Sequence, residues 1–285
     1  MDPVSEFVSR RPATPLLPFV EGYSGYRMAG FAAGMHRGLP GRNLTFIVSL
    51  DRAVEILAMP DRRQRPDAMQ AFVGGLATTA ALIRHDGTQH GIAIDVTPFG
   101  AQTLFGMPSS ALGAQVVDLV ELLGVRGRDL PDRLVEVSSW ADRFRIVDEV
   151  LLGALREHAA AEERRSPPPE VTHAWRRLVA GDGALRVEDL ATEVGWSRRH
   201  FTEMFRRVIG LPPRQMARVL RFERSKRMLT VADRRSFAAI AAECGFYDQA
   251  HMNREWRDLA GCSPGRWLVE EELPSVQDVV RAERP

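Results

Sequence analysis

Two sets of polar side chains in the last third of the chain are of the types that recognise the edges of DNA bases. They are Arg199, Thr202 and Glu203 in one set, and Gln249, His251 and Arg254 in the other. Arginine can bridge two acceptors on guanine, glutamine can pair with adenine, and glutamate can accept a hydrogen bond from cytosine. Such contacts require a helix in the major groove, so we expect each set to lie on one exposed helix face.

Three further arginines follow these sets along the chain, and they are Arg206, Arg207 and Arg257. Their positions are further along the predicted helices than those of the base-reading candidates. A cation at that distance from the helix start is placed for the phosphate backbone rather than for a base.

An internal sequence repeat predicts the elements that hold these side chains. The stretch Leu190–Trp196 reappears as Ile240–Phe246, and each copy continues through a second apolar periodicity to a proline, Pro213 or Pro264. The spacing between the copies grows by one residue just after the second glycine. A unit of this size used twice predicts a repeated supersecondary module, here a helix-turn-helix.

Each copy has the local signals of two short helices joined by a turn. Apolar residues at helical spacing end at a glycine, Gly195 or Gly245. Glycine adopts the left-handed conformation that ends such helices. Ser197 and Asp248 then follow as N-caps of the second helices. The alternative is a pair of ordinary amphipathic helices with solvated charges, which the matching polar faces disfavour.

The charge distribution agrees with contacts to an anionic polymer. The whole chain carries a formal net charge of +1. Residues 170–270 carry +5, with 18 Arg and Lys against 13 Asp and Glu, whereas residues 1–169 carry −2. A basic last third is what attraction to phosphates requires.

The C-terminal part of the chain resembles the AraC/XylS family of bacterial transcription regulators over about residues 170–270. The resemblance rests on Ile240–Phe246, on the closing Gly261–Pro264, and on the pattern after Pro213. Two positions depart from the family pattern. Ser225 stands where a small alanine is common and Met216 where an aromatic residue is common, and neither lies on a predicted reading face.

The resemblance implies a sequence-specific DNA-binding regulator in the bacterial cytoplasm. It implies an all-α domain of two helix-turn-helix subdomains joined by one long helix, about Pro213 to Leu229. Transferred by position, the two sets above read bases, and Arg198 joins the other three arginines on phosphates. Double-stranded DNA is the expected partner, with RNA polymerase and a second copy of the chain as further partners.

The first half of the chain alternates short strand-like stretches with glycine turns, which favours a small barrel or a sandwich. The stretches lie at 42–50, 53–57, 70–75, 79–85 and 91–96. Asp86-Gly87 predicts a hairpin turn between the last two. In the resembling family this domain is often a cupin-like β-barrel that binds an effector, so the expected fold class is α+β with accessory helices on that barrel.

The predicted domain limits follow from these patterns. They are a disordered start at 1–15, a β-rich sensor domain at 16–108, a helical packing or dimerisation region at 109–165, a proline linker at 166–169, the DNA-binding domain at 170–270 and a tail at 271–285. Within the helical region we expect one helix over 114–123 and another over 139–158. Aromatic residues that could line an effector pocket are Tyr23, Tyr26, Phe46 and Phe72, all equally suited to a core.

Several kinds of chemistry are not expected. No phosphate-binding glycine loop is present, and the N-terminal half contains no cysteine that could act as a nucleophile. His85 and His90 lack a third ligand at a convincing spacing, so we expect no metal, no cofactor and no catalytic site. No segment is long and apolar enough to span a membrane.

Three hypotheses remain open. The first is a ligand-responsive transcription regulator. The second is a DNA-binding protein whose N-terminal domain only dimerises or binds another protein. The third is a small-molecule-binding protein or enzyme that has lost DNA binding. An apolar pocket in the first domain would favour the first hypothesis over the second.

Overall fold

The computed structural model describes residues 3–162, 166–230 and 235–271. Strands dominate the first part and helices the second, which confirms the α+β class. The tail predicted for 271–285 lies outside the described residues, except for Glu271.

Ten strands occur in the described residues, and they form two sheets. Their bounds are β1 Val4–Arg10, β2 Val20–Ala29, β3 Gly34–Gly38, β4 Leu44–Ser49, β5 Val54–Ala58, β6 Asp67–Met69, β7 Ala71–Gly74, β8 Ala81–His85, β9 Gln89–Val96 and β10 Val116–Asp118. One sheet has the order β1-β2-β9-β4-β7-β10, and the other has the order β3-β8-β5-β6. The expected single closed barrel is therefore replaced by two separate antiparallel sheets.

Three local expectations are corrected by strand pairing between distant residues. Residues 4–10 were expected to be disordered, but they pair with β2 along their whole length, Val4 opposite Ala29 and Arg10 opposite Tyr23. Asp86-Gly87 does not close a hairpin, because β8 and β9 belong to different sheets. The helix expected over 114–123 begins only at Leu119, since Val116 pairs with Gly74.

The helices of the described residues follow the strands, with α1 and α2 placed before β10. Their bounds are α1 Pro98–Phe105, α2 Ser109–Leu112, α3 Leu119–Leu123, α4 Val125–Val135, α5 Trp140–Glu162, α6 Pro169–Ala180, α7 Val187–Glu193, α8 Arg198–Ile209, α9 Pro213–Thr230, α10 Phe237–Glu243, α11 Gln249–Ala260 and α12 Pro264–Glu270. The predicted helix at 139–158 corresponds to α5.

Helix α5 packs on the six-stranded sheet. The Tyr23 hydroxyl donates to Oδ1 of Asp148 at 2.8 Å, and its ring stacks on Phe144 with centroids 5.9 Å apart. The same carboxylate accepts from the Ala13 backbone N–H and from Arg10. Each oxygen of the buried carboxylate thus has a donor, which is the condition for burying such a group at low cost.

Both helix-turn-helix units form as their local signals predict. Gly195 and Gly245 have φ of +72° and +75°, in the left-handed region where a side chain would be strained. The Ser197 hydroxyl accepts from the His200 N–H, and the Asp248 carboxylate accepts from the His251 N–H. Each cap supplies an acceptor for a helix donor that has no partner inside the helix.

Helix α9 connects the two units, and half of its residues are buried. Ser225 is fully buried, and its hydroxyl accepts from Nε1 of Trp256 at 2.9 Å and donates to the Phe222 carbonyl at 2.8 Å. The departure from the family pattern at this position therefore supplies the partner that a buried indole N–H needs. Met216 is also fully buried.

No helix in the described part of the chain is long and apolar enough to cross a membrane. Within the same residues, no cluster of three or more histidine, cysteine or acidic side chains could hold a metal ion. Cys244 and Cys262 are both free and buried.

Candidate functional site

The first candidate reading helix, α8, presents one apolar and one polar face. Phe201, Phe205 and Ile209 are fully buried against the rest of the domain. On the opposite side Arg199 and Glu203 are exposed, and Thr202 is half-buried. The predicted set is thus brought together on one solvent-facing helix surface, in the first two turns, the part that recognition helices present to base edges.

The charges around α8 are partly paired. Glu203 accepts from Arg207 at 3.2 Å, and Arg198 lies 3.1 Å from Glu188. All four side chains are largely exposed, so these pairs contribute little to stability and can be exchanged for other partners. Arg199 and Arg206 have no ion-pair partner among the described residues.

The second candidate reading helix, α11, also presents one buried apolar face and one exposed polar face. Gln249, Arg254 and Arg257 are exposed, and Met252 and Trp256 are fully buried. Arg254 and Arg257 have no ion-pair partner among the residues that the structure describes. Both guanidinium groups are therefore available to an anionic or hydrogen-bonding partner.

His251 is placed differently from the other predicted base readers. Its Nδ1 accepts from the Tyr247 backbone N–H at 3.2 Å, and its Nε2 lies 3.4 Å from a carboxylate oxygen of Glu255. The ring also meets the edge of Phe246 at 5.6 Å. Nδ1 is thus engaged by the turn before α11, whereas Nε2 has only the 3.4 Å contact with Glu255.

Tyr247 is a candidate that the sequence interpretation missed. It is the additional residue of the second turn and is 92% exposed, directly before the capping residue Asp248. An exposed tyrosine beside a helix N-terminus can donate its hydroxyl to a phosphate. The sequence contains a signal for this residue, because Tyr247 is the position at which the second repeat is one residue longer than the first.

A cavity of about 420 Å³ lies between the two sheets of the first domain. Its wall includes Tyr26, Thr45 and Phe72 from the larger sheet and Ile56 and Ile83 from the smaller one. Because side chains alternate along a strand, the neighbours of these residues point to the opposite face. Of the four aromatic residues predicted to line an effector pocket, Tyr26 and Phe72 do so.

The other two predicted pocket residues belong to the core on the far side of the larger sheet. Tyr23 and Phe46 are both fully buried and do not line the cavity. Tyr23 bonds to Asp148 of α5, as described above. Side chains three residues apart on a strand point to opposite faces of the sheet. Tyr23 therefore lies in the core, whereas Tyr26 lines the cavity.

The ionisable groups of the cavity wall are mostly neutral or paired. Burial, and then the charge of Arg143, holds the pKa of His90 below its usual value. Burial raises the pKa of Tyr26, so its hydroxyl stays protonated. Arg84 pairs with Glu55 at 3.0 Å, and Arg52 pairs with Asp86 at 2.8 Å.

One end of the cavity wall touches the helix-turn-helix domain. The Arg42 backbone N–H donates to Oε1 of Glu223 on α9 at 2.8 Å. Nearby, His36 pairs with Glu271, and Arg37 pairs with Glu270 at 2.7 Å. The stretch 36–43, which supplies part of the cavity wall, is therefore in contact with the connector helix and with the end of α12.

The comparisons with known proteins agree with this architecture. Residues 190–269 match a helix-turn-helix domain family. The chain is 32% identical over 148 residues to the HTH-type transcriptional regulator Rv1931c of Mycobacterium tuberculosis, aligning 50% of this chain with 52% of that protein. It is 27% identical over 154 residues to the HTH-type transcriptional regulator ArgR of Pseudomonas aeruginosa, aligning 53% with 45%. The chain thus spans about half the length of the curated relatives it matches.

Two solved structures of ToxT from Vibrio cholerae share the fold over most of the chain. One has a TM-score of 0.51 at 12% identity and covers 93% of this chain and 98% of its own. The other, with an unsaturated fatty acid bound, has a TM-score of 0.50 at 10% identity and covers 92% and 97%. At these identities the similarity shows the fold, with a strand-rich first domain and a helical second domain.

The repeated unit, its two caps, the connector helix and the domain match all lie in the same stretch of sequence. The whole-chain fold similarity adds the strand-rich domain in front of it. Residues 190–269 form a helix-turn-helix domain, and by this domain, its sequence relatives and its fold the chain is similar to the AraC/XylS family of transcription regulators.

Proposed function

We propose that this protein is a sequence-specific DNA-binding transcription regulator controlled by a small molecule that binds its first domain. The observation that carries the DNA-binding part is the pair of capped helices, α8 and α11, each with an exposed face bearing arginine. The matched relatives are named as transcriptional regulators, which supports the same function here.

On this proposal, the side chains divide into two roles. The base-reading residues are Arg199, Thr202, Glu203, Gln249 and Arg254, and the phosphate contacts are Arg198, Arg206, Arg207, Arg257 and Tyr247. His251 is the sixth candidate base reader, and its Nδ1 also accepts from the Tyr247 backbone N–H. Base contacts specify the sequence, whereas phosphate contacts set the register of the protein on the duplex.

The connector α9 sets the separation of the two reading helices. Successive major-groove faces on one side of a duplex are about 34 Å apart. If the helices are closer together than this, engaging both bends the DNA at a cost of roughly 1–6 kcal/mol. The sequence between the two contacted blocks then affects affinity without being touched.

The cavity supports the ligand-responsive hypothesis over one in which the first domain only assembles. It lies between both sheets, and most of its lining surface is apolar, as in small-molecule sites. ToxT, which shares the fold, is known with an unsaturated fatty acid bound. As a regulator of this type, the protein would work in the cytoplasm, with RNA polymerase and a second copy of itself as partners.

The experiment that tests DNA binding is selection of bound sequences from a random duplex library by the full-length protein. We expect one motif with two blocks about one helical turn apart, and its symmetry reports whether one or two copies bind. A matched control is the double variant Arg199→Ala/Arg254→Ala, which should lose the motif while staying folded. Failure of the folded wild-type protein to enrich any sequence would refute the proposal.

A further inference from the structure

The Tyr26 hydroxyl borders the cavity and has no hydrogen-bond partner among the described residues. Tyr26 is 5% exposed and forms part of the cavity wall. The unpaired side-chain atoms of the first domain that are sealed from solvent include those of Ser24 and Asn43 but not the Tyr26 oxygen, which therefore keeps accessible surface. A buried hydroxyl without a partner costs free energy, so a ligand that supplies one gains from it.

The strand register shows how this hydroxyl is placed. Tyr26 on β2 lies directly opposite Gly91 on β9, so both residues face the same side of the larger sheet. A Cβ at Gly91 would lie 2.5 Å from the Tyr26 hydroxyl oxygen and 2.7 Å from the Val48 carbonyl oxygen of β4. The absence of a side chain at Gly91 thus lets the phenol ring extend across β9 to its boundary with β4, along the floor of the cavity.

The hydroxyl at this position is a hydrogen-bond donor. Burial raises the pKa of Tyr26, so the phenol keeps its proton at neutral pH. Strands β4 and β9 each have a neighbouring strand on both sides, so their backbone carbonyls are engaged in the ladders. The group that matches a protonated phenol is an acceptor such as the carbonyl oxygen of a ligand.

The charges of the wall favour an uncharged ligand. Its two arginines are Arg52 and Arg84, and its three carboxylates are Asp51, Glu55 and Asp86. Each arginine already pairs with a carboxylate of the wall, at 2.8 Å and 3.0 Å. With histidine counted as neutral, the wall has one carboxylate more than it has arginines. An anion brought into this space would lose its hydration and meet an excess of negative charge.

We propose that the Tyr26 hydroxyl is the polar anchor of the cavity and that the ligand is an uncharged, largely apolar molecule with one carbonyl group, which accepts a hydrogen bond from that hydroxyl. This inference rests on the proposed role of the first domain in ligand binding, and it names the class of ligand. The face of the phenol ring and the apolar wall cover the rest of the molecule.

The test uses two probes of the same shape. One is the ketone para-fluorobutyrophenone, and the other is its alkene counterpart, in which a methylene group replaces the carbonyl oxygen. Their affinities for the full-length protein are measured by fluorine NMR titration at pH 7.5. In the Tyr26→Phe variant we expect the ketone to bind about fivefold more weakly, the effect of losing one net hydrogen bond. The alkene should bind this variant at least as tightly as it binds the wild type.

A third probe tests the charge of the ligand. The carboxylate para-fluorophenylbutyrate has as many carbon atoms as the ketone and is ionised at the same pH. We expect the wild-type protein to bind it at least about tenfold more weakly than the ketone, because the wall offers it no unpaired arginine.

A matched control removes a tyrosine hydroxyl that already has a partner. Tyr23 lies outside the cavity wall, and its hydroxyl donates to Oδ1 of Asp148 at 2.8 Å. The Tyr23→Phe variant should bind the ketone as the wild type does but unfold at a lower urea concentration. Tyr26→Phe removes an unpaired hydroxyl, so the ligand-free variant should unfold at no lower urea concentration than the wild type. The two variants thus separate ligand binding from stability.

Four results would overturn the inference. They are unchanged ketone binding by Tyr26→Phe, equal losses of ketone and alkene binding in that variant, carboxylate binding as tight as ketone binding, and no ketone binding by the wild type. Any of the first three would leave the cavity as a ligand site and remove only its anchor or its ligand class. Selection of DNA sequences is measured separately, so a protein that selects DNA but fails these tests loses only the present inference.

Discussion

The backbone N–H of Arg42 donates to Oε1 of Glu223 at 2.8 Å, and this bond joins the cavity wall to the connector helix α9. Glu223 is 2% exposed, and Arg42 is half-buried. Gly41 packs against the same carboxylate, and a Cβ at that position would lie 3.0 Å from Oε1. The cavity wall and the connector helix are therefore in direct contact at this point.

Replacing Glu223 tests how much this junction contributes to stability. Glu223→Leu leaves the part-buried Arg42 N–H without its acceptor, which should lower the free energy of unfolding by about 1–3 kcal/mol. Glu223→Gln keeps a carbonyl oxygen at the same place and should cost less. Urea unfolding followed by tryptophan fluorescence measures both. Equal stabilities of the two variants would show that the bond does not hold the junction.

Arg254 is predicted to read one base. Arg254→Ala should weaken binding to the preferred duplex by about 1–3 kcal/mol and relax selection at a single position. Fluorescence anisotropy with duplexes substituted one base pair at a time provides the measurement. If the variant retained the full sequence preference of the wild type, the assignment of the reading face on α11 would be wrong.

Arg206 is predicted to contact phosphate. Arg206→Ala should weaken binding to all duplexes alike and reduce the dependence of log Kd on log salt concentration by about one. Arg63→Ala removes the same charge from an exposed site in the first domain and is the matched control. A loss confined to one sequence would instead assign Arg206 to base reading.

His90 makes stability depend on pH in a defined direction. Burial, followed by the charge of Arg143, lowers its pKa in the folded protein, whereas the unfolded chain takes up the proton near pH 6.5. The unfolded state then binds more protons, so stability is complete above that pH and falls as the pH decreases through it. His90→Gln should reduce this loss. Tm measured between pH 7.5 and 5.5 compares the variants, and parallel curves would contradict the prediction.

The helical half of the fold is predictable from the sequence because its signals are local. Glycine ends a helix because its backbone can adopt the left-handed conformation. Ser197 and Asp248 each cap a helix by accepting from the backbone N–H three residues later. These signals place the ends of α8 and α11 without knowledge of the rest of the chain. The exposed faces of both helices follow from the same periodicity.

The strand half is less predictable because its elements depend on distant partners. Residues 4–10 have little apolar pattern of their own and become a strand by pairing with β2. Alternation along β2 separates Tyr23 from Tyr26, but it does not say which face a helix covers and which face borders a cavity. The hydrogen bond from the Tyr247 N–H to His251 likewise depends on the position of the Tyr247 backbone, which residue spacing does not predict.

The apolar core of the first domain continues without interruption into the second. Phe99 of α1 meets Trp175 of α6 at 6.1 Å, and Trp175 meets Phe205 of α8 at 6.4 Å, within one connected set of buried side chains from Leu16 to Trp267. Two units that share a core in this way tend to unfold as one cooperative body. A molecule that binds only the folded first domain thereby raises the melting temperature of the second as well.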